Sequence, residues 1–144
     1  MISAQKRTVV VVEDDRDTSE MLELAIAMEG YTARSAADPL EALDLISATK
    51  PELVLLDYYG VTAELESFVN SIRAIHPTTR IVLMTGAKKP ADKASQLGLK
   101  EWLAKPFDSN TLQQLLRAKR PAGRKSARKA QSVPAEQPFA FNLF

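Results

Sequence analysis

The chain of 144 residues contains no cysteine and a single histidine. The lack of cysteine excludes disulfides, zinc–thiolate sites and a cysteine nucleophile. His76 precedes Pro77 and has no partner at metal-ligand spacing, so we interpret it as a helix-end or loop residue. No apolar stretch approaches the ~20 residues of a membrane span, and the polar start of the chain is untypical of a signal peptide. The expectation is therefore a cytoplasmic protein.

The net charge of +1 hides an uneven distribution along the chain. Residues 1–108 carry 12 basic and 17 acidic side chains, a net −5, whereas residues 109–144 carry 7 basic and 1 acidic, a net +6. Large hydrophobic side chains are almost absent from residues 121–138 and return in the apolar segment 139–144. We predict a folded domain over residues 1–120 and a basic, flexible tail over residues 121–144.

The tail has three interpretations. It is either a solvated segment, an electrostatic contact with nucleic acid or an acidic protein surface, or a docking motif. It contains no recognisable DNA-binding fold, so specific DNA binding is not expected. As a docking motif it would insert its apolar side chains into a groove on a partner or on the domain itself; these are Phe139, Phe141, Leu143 and Phe144.

Strand-like and helix-like segments alternate through the first 120 residues. The predicted strands are Thr8–Val12, Tyr31–Ser35, Leu53–Leu56, Arg80–Met84 and Glu101–Ala104. The predicted helices are Thr18–Glu29, Pro39–Thr49 after an Asp38 cap, Thr62–Ile75, Pro90–Leu97 and Ser109–Lys119. The first helix has an expected apolar stripe of Met21, Leu22, Leu24, Ala25 and Met28. Five strand–helix repeats with short links favour a doubly wound α/β fold, a parallel sheet covered by helices on both faces.

Acidic side chains follow two of these strands. Glu13, Asp14 and Asp15 come directly after the first strand, and Asp57 follows the third. Because the carboxyl ends of parallel strands meet at one edge of a sheet, we expect these carboxylates to lie close together. Their mutual repulsion would be relieved by a cation, and oxygen ligands suit Mg²⁺.

Thr85 ends the fourth strand and Lys105 follows the fifth, which adds a hydroxyl and an ammonium group to the same edge. Such a set suits phosphoryl transfer to a carboxylate, with one carboxylate as the nucleophile and the others as metal ligands. Each residue alone has an ordinary interpretation as a helix cap or surface side chain. Their joint placement at successive strand ends indicates a functional site.

Four motifs carry a resemblance to the receiver domains of two-component response regulators over residues 6–119. They are Val-Val-Glu13-Asp14-Asp15, Leu-Val-Leu-Leu-Asp57, Val-Leu-Met-Thr85-Gly86 and Trp102-Leu-Ala-Lys105-Pro106-Phe107. The resemblance implies a flavodoxin-like, three-layer fold with strand order 2-1-3-4-5. It also implies a signalling protein, not classed as an enzyme, whose output is protein–protein contact.

The same resemblance implies roles for individual residues. Asp57 would accept phosphate from a histidine kinase or histidine phosphotransfer protein. Lys105 would contact that phosphate, and the Lys105–Pro106 peptide would be cis. Glu13, Asp14, Asp57 and the backbone carbonyl of Tyr59 would hold Mg²⁺. Thr85 and Trp102 would form the switch, although Trp102 suits the core equally well. The downstream partner is unknown, and a homodimer through the face of helix 4, strand 5 and helix 5 is a further expectation.

Two alternatives stay open. Val61 and Leu65 stand where the family usually has proline and glycine, so a pseudo-receiver that no longer takes phosphate is the main alternative. A flavodoxin-like binder of a small molecule is the other, and it is disfavoured because no glycine-rich phosphate loop follows the first strand.

Overall fold

Five strands alternate with five helices in the computed structural model, which describes residues 7–57 and 63–118. The strands are β1 Thr8–Val12, β2 Thr32–Ala36, β3 Leu53–Asp57, β4 Arg80–Thr85 and β5 Glu101–Ala104. The helices are α1 Arg16–Met28, α2 Pro39–Thr49, α3 Ala63–Ile75, α4 Pro90–Gln96 and α5 Ser109–Arg117. The predicted tail, residues 121–144, lies outside the described residues, as does the end of the last predicted helix at Lys119.

All strand pairs are parallel, and the order across the sheet is β2-β1-β3-β4-β5, which confirms the predicted fold. Side chains alternate along each strand between two hydrophobic cores. In β1, Val9 and Val11 pack with α1 and α5, whereas Val10 and Val12 pack with α2, α3 and α4. Because helices cover both faces, β1, β3 and β4 are almost entirely buried, which explains their continuous apolar runs.

Helix α1 departs from the sequence prediction in its start and in its buried face. It begins at Arg16 because the side chain of Asp15 accepts a hydrogen bond from the Thr18 backbone N–H at 2.9 Å. The residues that face the sheet are Ser19, Leu22 and Ile26, at helical spacing. Most of the predicted apolar stripe is therefore wrong: three of its members point outward and are exposed, namely Met21, Leu24 and Met28.

Leu65, which stands at a position where the receiver family usually has glycine, lies in the first turn of α3 and is buried. It packs in one core with Phe68, Val69 and Ile72. Leu65 therefore contributes apolar packing that a glycine at this position would not supply. Val61 lies outside the described residues.

A buried ion pair ties β4, β5 and α5 together at the amino end of the strands. Arg80 donates hydrogen bonds from Nε and Nη2 to the Glu101 carboxylate at 3.0 and 2.5 Å. Its Nη1 also donates to the carbonyl oxygens of Leu115 and Ala118, each at 3.3 Å. Since the Arg80 side chain is only 6% exposed, this guanidinium stabilises the end of α5 as well as the pairing of two strands.

Candidate functional site

Asp57 and Lys105 form the centre of a polar cluster at the carboxyl edge of the sheet. Asp57 is the last residue of the central strand β3, and Lys105 directly follows β5. The Lys105 Nζ lies 2.7 Å from Asp57 Oδ1 and 3.8 Å from Glu13 Oε1. The register of β3, β4 and β5 aligns these strand ends, so a lysine two strands away reaches the carboxylate.

Glu13, Asp14 and Asp57 form a carboxylate cluster beside that ion pair. Each contributes one oxygen, and these oxygens lie within 4.8 Å of one another. Glu13 Oε2 accepts a hydrogen bond from the Asp15 backbone N–H, but the buried Glu13 Oε1 has no hydrogen-bond partner in the part of the chain that the structure describes. A buried carboxylate oxygen without a donor is costly, and a hard divalent cation would satisfy it. The residues present therefore fit a Mg²⁺ ion.

Thr85 and the Lys105–Pro106 peptide complete this edge of the sheet. Thr85 is 1% exposed, and its Oγ1 accepts a hydrogen bond from the Ala87 backbone N–H at 3.0 Å. The Lys105 backbone N–H donates to the Thr85 carbonyl at 2.8 Å, which holds the two residues side by side. The Lys105–Pro106 peptide is cis, as the resemblance implied.

Trp102 lies away from the carboxylates, on the face of β5 that packs against α4. It is 9% exposed and belongs to the same hydrophobic core as Ala94, Leu97 and Leu99. Its position is thus a core position in this structure, and its role as a switch stays a prediction. Tyr59, the other residue implied as a metal ligand, lies outside the described residues.

Burial sets the electrostatics of the cluster. Burial raises the pKa of Asp57 above its usual range, and the hydrogen bond and charge of Lys105 oppose that rise. Burial also raises the pKa of Glu13, against the hydrogen bond from Asp15, and the charge of Asp57 raises it further. The pKa of the exposed Asp15 is lowered by hydrogen bonds from Thr18. Asp57 and Glu13 thus lie where burial disfavours the charged form of their carboxylates.

These shifts predict how stability depends on pH in metal-free buffer. In the unfolded chain Asp and Glu titrate near about 3.9 and 4.3, so the folded state binds the protons of Asp57 and Glu13 more tightly than the unfolded chain does. Their contribution to the free energy of unfolding is complete below the unfolded pKa values and is lost as the pH rises through the folded ones.

Urea denaturation of wild type and Glu13→Gln over this pH range checks the sign. The variant should gain free energy of unfolding relative to wild type as the pH rises, because it has no carboxylate to ionise. Glu66→Gln, an exposed position on α3, should show no such trend. A difference between Glu13→Gln and wild type that does not change with pH contradicts the prediction.

A parallel sheet of this order, with three carboxylates and a lysine at its carboxyl edge, defines a receiver-type α/β domain. The sequence matches the response regulator receiver domain family over residues 9–117, and the chain belongs to that family. None of the helices within residues 7–57 and 63–118 is long and apolar enough to cross a bilayer.

Curated relatives and solved structures agree with this assignment. The response regulator MprA of Mycobacterium sp. (strain KMS) is 30% identical over 112 residues, which cover 76% of this chain and 49% of that protein. The chain thus spans about half the length of the curated relatives that it matches. The Vibrio cholerae chemotaxis protein CheY4 is 26% identical with a TM-score of 0.69, and the match covers 78% of this chain and 98% of that one. A response regulator protein from Burkholderia multivorans is 27% identical with a TM-score of 0.63, covering 83% of this chain and 100% of that one.

Proposed function

We propose that this protein is a phosphoacceptor of a two-component or phosphorelay system in the cytoplasm. Asp57 takes a phosphoryl group from a histidine kinase or histidine phosphotransfer protein, and the domain then signals through contact with a downstream protein. The observation that carries the proposal is the 2.7 Å contact between Lys105 Nζ and Asp57 Oδ1 inside a cluster of three carboxylates.

The proposed reaction is a displacement at phosphorus. An Asp57 carboxylate oxygen forms the new bond to phosphorus, and the bond from phosphorus to the donor nitrogen breaks, with its electron pair leaving on the histidine. Lys105 donates hydrogen bonds from its ammonium group and thereby offsets charge on the phosphoryl oxygens. Because Lys105 and Asp57 are already in contact, the ammonium group of Lys105 is in place before the phosphoryl donor binds.

Glu13, Asp14, Asp57 and the Tyr59 carbonyl are the proposed ligands of Mg²⁺. When bound, the ion supplies positive charge against the oxygens of the transferred group. Mg²⁺ would stabilise the Glu13 carboxylate in particular, since no described residue donates a hydrogen bond to its buried Oε1. The Asp15 backbone N–H fixes the second oxygen of Glu13 at 3.1 Å and so holds the carboxylate in one orientation.

The proposed switch begins at Thr85. Its hydroxyl oxygen now accepts a hydrogen bond from the Ala87 backbone N–H at 3.0 Å. After transfer the hydroxyl donates its own hydrogen to a phosphoryl oxygen. Trp102 then repacks in the core between β5 and α4 and alters the face built by α4, β5 and α5. That face is the proposed contact for the downstream partner or for a second copy of the chain. A few kcal/mol from new charge-assisted hydrogen bonds is enough to bias such a two-state element.

Incubation with acetyl phosphate and Mg²⁺ tests the function directly. Intact-protein mass spectrometry should detect one added phosphoryl group on wild type and none when a chelator removes the metal. Glu13→Gln should slow the reaction roughly 10-fold or more by weakening the metal site, whereas Glu66→Gln on α3 should match wild type. Failure of wild type to take the group with Mg²⁺ present rejects the proposal and favours a pseudo-receiver that acts by contact alone.

A further inference from the structure

Three large apolar side chains lie exposed on one face of α1. Met21, Leu24 and Met28 are 41%, 64% and 76% exposed. Together with Leu112 and Gln113 of α5, they line a groove of about 370 Å³ between the two helices. A contiguous apolar surface of this kind in a soluble domain is typical of a contact site. We call it the α1–α5 groove.

We propose that the segment of residues 139–144 of the same chain docks in the α1–α5 groove. This segment is Phe139-Ala140-Phe141-Asn142-Leu143-Phe144, and four of its six side chains are large and apolar. The domain thus has an exposed apolar groove, and the chain that leaves the domain carries an apolar segment of its own. Burying the two surfaces against each other removes both from water.

The chain is long enough to make this contact. Helix α5, which lines one side of the groove, ends at Arg117, and the 20 residues from 119 to 138 separate Ala118 from Phe139. A stretch of that length reaches up to about 70 Å when extended, whereas α5 is only ~14 Å long. Flexible connections of modest length give an effective concentration on the order of 1 mM. A contact with a dissociation constant well below about 1 mM is therefore well populated within one chain.

Charge complementarity favours the same arrangement. Helix α1 carries three acidic residues, Asp17, Glu20 and Glu23, and one basic residue, Arg16. Arg16 already pairs with Glu20 at 3.1 Å. The connecting residues 119–138 contain one acid, Glu136, and six bases, which are Lys119, Arg120, Arg124, Lys125, Arg128 and Lys129. Attraction between this basic stretch and the acidic helix would guide the apolar segment to the groove.

A second copy of the domain fits the groove less well than residues 139–144 do. In a two-fold dimer through the α1–α5 groove, the same helix would face itself. The acidic residue that lines the groove, Glu29, would then lie close to Glu29 of the second copy, and like charges in contact are unfavourable. The apolar segment 139–144 contains no charged side chain and avoids that repulsion.

Nitroxide labelling of the full chain tests the contact. The chain has no native cysteine, so Ala140→Cys provides a single attachment point within the segment. The methyl groups of Met21 and Met28 report from the groove in a ¹³C-methionine spectrum. We expect both signals to lose most of their intensity, relative to the reduced label, in a dilute sample where every chain carries the label.

Matched variants connect the loss of signal to the groove. Leu24→Glu, within the groove, should restore the Met21 and Met28 signals, whereas Leu40→Glu, at an exposed leucine of α2 outside the groove, should leave them broadened. Without the label, replacing Phe139, Phe141 and Phe144 together by serine should shift both methyl signals, because aromatic rings leave their surroundings.

Two outcomes overturn the proposal. The first is that the Met21 and Met28 signals respond neither to the label nor to the phenylalanine substitutions. The second appears in a mixture of ¹³C-labelled chains without nitroxide and unlabelled chains with nitroxide. If the methionine signals are broadened in that mixture as much as in the sample where every chain carries the label, the segment docks on a second copy of the chain.

Discussion

Replacing Asp57 with asparagine is expected to abolish phosphoryl transfer while it makes the folded domain more stable. The loss follows because an amide oxygen is a poor nucleophile, whereas the Asp57 carboxylate is the group that Lys105 contacts at 2.7 Å. The gain follows because burial raises the pKa of Asp57, so its charged form opposes folding at neutral pH. Asparagine occupies the same volume without that charge.

Two measurements on the same preparation check both halves of this expectation. Intact mass after incubation with acetyl phosphate and Mg²⁺ should detect no phosphoryl group on Asp57→Asn, and urea denaturation in metal-free buffer should give it a higher free energy of unfolding than wild type. Asp44→Asn, an exposed aspartate of α2, is the matched control and should change neither result. Phosphorylation of Asp57→Asn at the wild-type rate would place the acceptor elsewhere.

Replacing Arg80 with methionine should destabilise the domain by about 3–5 kcal/mol, because it leaves a largely buried carboxylate without its partner. Glu101 would lose two hydrogen bonds, at 3.0 and 2.5 Å, and its side chain is only 14% exposed. The end of α5 would lose two more, at the carbonyls of Leu115 and Ala118.

Chemical denaturation measures this loss, and two further variants show where it comes from. Arg16→Met removes an ion pair of similar length, 3.1 Å to Glu20, but that pair is exposed and should contribute about 0–1 kcal/mol. Arg80→Met combined with Glu101→Leu removes both charges and should recover much of the lost stability. A double variant as unstable as the single one would mean that the α5 contacts, not the unpaired carboxylate, dominate.

The sheet and the centre of the site could be predicted from the sequence because their signals are local. Continuous valine and leucine runs indicate strands that are buried on both faces, and the acids Glu13 and Asp57 follow those runs directly. Parallel pairing then brings the strand ends to one edge. The position of Lys105 at this edge could be predicted in the same way, since it follows a short strand, and its Nζ lies 2.7 Å from Asp57 Oδ1.

Other features depend on packing that the sequence does not encode locally. Helix α1 has more apolar residues than one face can hold, so the pattern alone does not say whether Leu24 or Ile26 meets the sheet. Arg80 begins a strand, where an arginine usually reaches solvent, and only the fold brings Glu101 and the end of α5 around it. Arg80 and Glu101 are twenty-one residues apart, and nothing in the sequence around either residue predicts that they form an ion pair.

The Arg80 contacts hold the end of α5 against the start of β4. The Ala118 carbonyl is bound to the first residue of β4, and the other end of that strand is Thr85, at the carboxyl edge beside Lys105. One strand of six residues, each paired with β3 or β5, therefore runs from the Arg80 contacts to the opposite edge of the sheet. A fluorescent reporter fused directly after Ala118 would consequently be attached beside the Arg80 contacts, at the edge of the sheet opposite Asp57.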